Sequence, residues 1–192
     1  MFEKLVSEFA NWMASTNWSV GLHESLYMWG WFESVHVLFL MISLGMLIVI
    51  DLRMLGWWMG DVSASKIASR LEWPMLIGFS VMVISGLVLF TSVPVRYSHS
   101  VWFRFKLILL FAAAINAFLF RRYMQNSVGT WDTDKIPPSR ARFAAALSLC
   151  LWFAIVVCGR LIAYEWFDCG NTNKAFIVWA SGCSFESNAQ MQ

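Results

Sequence analysis

Charge is what this sequence has least of. Only 14% of its 192 residues are Asp, Glu, Lys or Arg, and the formal net charge of +2 gives no ground for a nucleic-acid partner. Histidine is scarce as well, with three copies, and proline occurs four times. The sequence holds no phosphate-cradling glycine loop, no CxxC pair and no recognisable nucleophile triad. Without a CxxCH element, covalent attachment of a c-type haem is not expected. A cleavable signal is not expected either, because Glu3 and Glu8 interrupt any apolar core near the start and no basic stretch precedes one.

What is present in excess is apolar and aromatic. With 59% hydrophobic residues, twelve Trp and a mean hydropathy of +0.60, the composition is that of a single membrane domain over 1–192. Four hydrophobic runs, 28–50, 74–93, 101–120 and 143–164, are spaced as transmembrane helices. The expected fold class is therefore an all-α integral membrane protein, a four-transmembrane-helix bundle. Pro74 suits the first turn of the second span, where its missing N–H costs nothing. Gly78 and Gly86, two turns apart on that span, would let a neighbouring helix approach closely.

The loops carry an orientation signal. Arg53, Lys66 and Arg70 follow the first span, and Arg121, Arg122, Lys135, Arg140 and Arg142 follow the third; these eight face the cytoplasm if loop cations stay inside. The opposite loops hold three, Lys4, Arg96 and Lys174, since Arg104, Lys106 and Arg160 lie within spans. Both termini are thus expected outside the cytoplasm. Residues 1–27 form an outer interfacial segment in this reading. Phe2, Leu5, Val6, Phe9, Trp12 and Met13 share one helical face, which suits an amphipathic helix lying in the interface. Trp18, Trp29, Trp31, Trp57 and Trp58 read as further interfacial anchors, or as contacts for another subunit. In the outer tail, 165–192, a short capped helix over 171–182 is flanked by Cys169 and Cys183, which an oxidising compartment would allow to pair as a disulfide. Cys150 and Cys158 fall inside the fourth span and pack there as small apolar residues.

His36 in the first span, Asp51-Leu52-Arg53-Met54-Leu55-Gly56 at its end, Phe103-Arg104-Phe105-Lys106 opening the third span and Gly159-Arg160-Leu161-Ile162-Ala163-Tyr164 closing the fourth resemble a family of uncharacterised four-helix bacterial membrane proteins, a domain of unknown function. More loosely, the chain is similar in architecture to the CopD and cytochrome b561 type of small helical membrane protein, although the paired histidines of a b561 core are not all present. The resemblance implies fold and bacterial origin.

The ionisable residues of the spans gather at the outer end: Glu33, His36, Arg96, Tyr97, His99, Arg104, Lys106, Arg160, Tyr164 and Glu165. Hydrogen bonding among themselves and snorkelling to headgroups would account for such a set. The chemically sharper expectation is a haem b site. His36 and His99 would supply axial nitrogens, with His23 as substitute, while Arg104, Lys106 and Arg160 would face the propionates. A copper site drawing on His23, His36 and His99 with a methionine is the competing metal reading, favoured by the CopD-like look. A di-iron site built on Glu33-Ser34-Val35-His36 fits less well than copper, since such sites draw several carboxylates from facing helices and Glu33 is the only acid well inside a span. The function expected is electron transfer within a larger membrane or periplasmic complex. The alternative is a non-catalytic accessory subunit, with the aromatic excess and amphipathic start serving as contact surface. Either fits better than a stand-alone enzyme.

Overall fold

Long unbroken stretches of Leu, Ile, Val, Met, Ala and Phe with few breakers leave the backbone one way to satisfy its hydrogen bonds in lipid, the α-helix. The computed structural model describes residues 2–25 and 27–164, and there the regular structure is helical throughout. In order come α1 (Phe2–Ala14), α2 (Asn17–Glu24), α3 (Met28–Leu55), α4 (Ala64–Ser92), α5 (Pro94–Ser98), α6 (Val101–Ser127), a 3-10 turn (Val128–Thr130) and α7 (Ser139–Ala163). α3, α4, α6 and α7 are long and apolar enough to cross a membrane. On α6 the outward side chains Leu107, Ile108, Phe111, Ile115, Phe118 and Leu119 are all exposed, as expected of a helix whose solvent is hydrocarbon. The expected short helix of the outer tail and the Cys169–Cys183 pair lie outside the described residues.

The helices overrun the spans read from hydropathy, most of all at α4. That helix begins at Ala64, ten residues before the run that starts at Pro74, so Pro74 sits inside it and not in its first turn. The reason is a cap supplied from far along the chain. Asp132 accepts from the Ser65 backbone N–H through Oδ1 and from the Ser65 hydroxyl through Oδ2, both at 2.7 Å, and its own carbonyl takes the Ala64 N–H at 3.0 Å. Two of the backbone N–H groups that a helix start would leave orphaned, those of Ala64 and Ser65, are met this way, and the Ser65 hydroxyl adds a side-chain tie. α3 likewise runs on to Leu55. It ends at Gly56, whose φ of +78° makes the left-handed turn that a residue without Cβ adopts freely. The bonds Gly56 N–H to Arg53 carbonyl and Trp57 N–H to Leu52 carbonyl close a Schellman motif.

The single domain expected from length divides into two compact units. Unit 2 comprises 35–84 and 109–154. Its core joins Ile50 and Met54 of α3, Ala64 and Ile67 of α4, Met124 of α6, Trp131, and Ala141 and Ala145 of α7. Arg53, fully buried, ties the connecting loops to it. Its Nε donates to the Val62 carbonyl at 2.8 Å, and Nη2 donates to the carbonyls of Asp134 at 3.0 Å and Asp132 at 3.5 Å. Gly78 performs the role its spacing suggested. A Cβ there would collide with the Ser43 hydroxyl of α3, so α3 and α4 pack at backbone distance. Phe79 of α4 stacks on Trp152 of α7 with ring centroids 4.9 Å apart.

Of the described residues, unit 1 comprises 2–25, 27–34, 85–108 and 155–164. α1 packs against α5 and turns Ala10 inward, while Leu5, Phe9 and Trp12 remain exposed as the apolar face read from the sequence. α2 begins under the Thr16 side-chain cap and is tied to the end of α4: Trp18 Nε1 donates to Thr91 Oγ1 at 3.1 Å and the Ser19 hydroxyl to the Thr91 carbonyl at 2.7 Å. Neither α2 as a separate helix nor α5 is legible from hydropathy, because each is short and its register is set by these contacts.

Candidate functional site

The residues expected to form one outer cup fall in both units. In unit 1, His99 follows directly on α5. Its backbone N–H bonds to the Tyr97 carbonyl, closing that helix, and the residue is 6% exposed, between the buried Ser98 and Ser100. Arg104, in the first turn of α6, folds back over the same junction, where its Nε donates to the Ser98 carbonyl at 3.1 Å. Phe90, Tyr97 and Phe103 stack beside it, with centroids 5.4–6.3 Å apart. Burial raises the Tyr97 phenol above its ordinary range; Arg96 acts against that shift and Glu33 with it. Tyr97 therefore stays a neutral hydroxyl well into alkaline conditions.

Lys106 is half-buried on α6, its ammonium over Gly159 of α7, where a Cβ would meet Nζ at 3.6 Å. Among the described residues it makes no hydrogen bond or ion pair, and its charge acts on the Cys158 thiol. Arg160 is exposed and pairs with the residue one turn on. Its guanidinium lies 4.8 Å from the Tyr164 ring centroid, and Nη2 donates to the Tyr164 hydroxyl at 2.9 Å. His23 is exposed in the last turn of α2. With Glu24, Ser19, Ser92 and Pro94 it lines an open cavity of about 300 Å³.

In unit 2, His36 is half-buried on α3, and its Nδ1 lies 2.9 Å from the Met82 carbonyl of α4. A carbonyl can only accept, so Nδ1 carries the proton. In the neutral ring the lone pair is then on Nε2, the arrangement that fixes a ligating imidazole in place. Among the described residues no group of three or more His, Cys, Asp or Glu that could hold a metal ion comes together.

The sequence reading passed over the most tightly held polar residues of unit 2. It took Asp51 and Arg53 as closing the first span in a loop, whereas both lie inside α3 and are buried. Asp132, in the connection between α6 and α7, fixes where α4 begins. An Asp-x-Arg at the end of an apolar helix was the available signal, since charged groups there pair inward or reach water. The direction each takes depends on loops far away in sequence.

No curated protein and no solved structure matches this chain, and the looser likeness to CopD and cytochrome b561 proteins has no counterpart in these comparisons. One family model does match, from the end of α1 to just past α7, and it encloses His36, the Asp-Leu-Arg element and the Gly-Arg-x-Ile-Ala-Tyr element. The chain belongs to a family of unknown function, DUF6644, matched over residues 14–165.

Proposed function

We propose that the chain is a bacterial inner-membrane protein, with both termini periplasmic, that binds haem b and passes electrons within a larger membrane assembly. The observation that carries this reading is the orientation of His36. Imidazole held through Nδ1–H to a helix carbonyl presents Nε2 as a fixed base, which an axial haem ligand requires and lipid contact does not. Haem b would supply a one-electron couple; the chain would supply the imidazole, its orientation by Met82 and an apolar surround from α3 and α4. Lys106 supports an anionic ligand in unit 1 independently, as a half-buried span cation without an ion pair or hydrogen bond among the described residues. Haem carboxylates are anions of that kind.

The purified protein should show Soret and α bands that sharpen on reduction. His36→Ala should abolish or shift them while the protein remains inserted, because a coordination bond is lost and no span loses its hydrophobicity. A wild type without chromophore ends the haem reading. The accessory-subunit reading then takes its place, resting on the outward Leu5, Phe9 and Trp12 face.

The orientation is tested separately. In a cysteine-free background, Lys66→Cys and Lys135→Cys should react with an impermeant thiol reagent only after the inner membrane is opened, and Lys4→Cys should react in intact spheroplasts. Reaction at position 66 or 135 in intact spheroplasts would reverse the topology.

A further inference from the structure

The polar groups of unit 2 that the haem reading leaves unused meet at one turn of α7. From α3, Asp51 is 6% exposed and accepts a hydrogen bond from the Ser148 hydroxyl. From α6, the Asn116 amide donates to the Ala144 carbonyl at 3.0 Å, one turn before Ser148. The second carboxyl oxygen, Asp51 Oδ2, is fully enclosed and has no hydrogen-bond partner, so the Ser148 bond is to Oδ1.

Among the described residues no cation pairs with this carboxyl. Arg53, two residues on, is committed to the carbonyls of Val62, Asp132 and Asp134. On the elements around it, Arg121 of α6 pairs with Glu72 of α4 at 2.7 Å, Asp132 caps α4, and Lys66, Arg70, Arg140 and Arg142 are exposed. The Ser148 hydroxyl is the side-chain partner of Asp51 among the described residues. An enclosed carboxylate without a counter-charge is among the costliest groups a membrane helix can hold, and such residues mark ion or proton sites. The enclosure selects between those two. A metal cation needs several oxygens around it and the space they leave, whereas a proton needs one lone pair and no space.

We propose that Asp51 is a proton-binding site, with the acid O–H at Oδ2 and the Ser148 hydroxyl holding Oδ1. The site takes up one proton to give the neutral carboxyl and releases one to give the carboxylate; nothing else is consumed. It is independent of whether His36 carries haem.

The test is infrared spectroscopy of the full chain in lipid nanodiscs through a pH titration. A protonated-carboxyl C=O band is expected that Asp51→Asn removes and that Ser148→Ala moves to higher frequency without loss, since one hydrogen bond to the C=O is gone. Replacing sodium by choline should leave the band unchanged. A titrating band that survives Asp51→Asn, or no such band in the folded wild type, overturns the proposal. Displacement of the band by sodium also overturns it, in favour of a cation site. Should Asp51→Asn fail to fold, the frequency shift in Ser148→Ala decides in its place.

Discussion

Arg53→Ala should lower the unfolding free energy of the membrane-inserted protein by roughly 3–5 kcal/mol, since it removes three hydrogen bonds from a charged donor, which contribute about 1.5–3 kcal/mol each and are not additive. The side chain is fully buried and its three bonds end on backbone carbonyls of two loops, so truncation takes the donor from three part-buried contacts at once. Arg53→Lys should recover little, because a point ammonium cannot reach both loops with the planar spread of a guanidinium. Denaturant titration in detergent micelles, followed by circular dichroism, measures the effect. A loss below about 1 kcal/mol would mean that the loops satisfy themselves once the guanidinium is gone.

Gly78→Ala is the second large effect, with an expected cost of about 1–3 kcal/mol from overpacking at the α3–α4 contact. The added Cβ would strike the Ser43 hydroxyl oxygen but stand at ordinary contact distance, 3.5 Å, from the Ser43 Cβ. Removing only that oxygen should therefore restore the fit. Ser43→Ala alone should be neutral or slightly stabilising, since the hydroxyl is buried without a hydrogen-bond partner. The double variant Ser43→Ala with Gly78→Ala should recover most of the loss, and a double-mutant cycle gives the coupling directly. Strict additivity of the two substitutions would show that the helices do not meet where Gly78 and Ser43 place them.

The four spans were legible because their cause is local: a run of apolar side chains long enough to cross lipid needs nothing else to become a helix. The apolar face of α1 and the close approach at Gly78 were legible for the same reason, each following from spacing within one helix. The ends were not. α4 starts at Ala64 because Asp132 reaches it across 67 residues from Ser65, and nothing in the segment 64–73 announces that. Pro74 misled for a related reason. A proline can occupy a first turn, but a helix capped ten residues earlier absorbs it in its interior. Of the candidate site, residue types were legible and partners were not. His36 was singled out as a lone histidine in a span, while the carbonyl that orients it belongs to Met82, 46 residues away. Arg160 and Tyr164, four apart on one helix, were open to pairing by spacing alone, and the structure makes that pair.

The cap on α4 also sets an order of events during synthesis. Asp132 follows α6 in the chain, so when the ribosome has delivered α3 and α4 the first turns of α4 have no acceptor for their orphan donors, and Arg53 lacks two of its three carbonyls. The Ala64 end of α4 must wait, frayed or bound by water, until the segment after α6 emerges and closes over both. α3 and α4 can enter the bilayer as a hairpin, but the finished geometry of that hairpin is an event of the second half of translation. A chain truncated before Asp132 would carry α3, α4 and α6 but leave the Ala64 end of α4 uncapped.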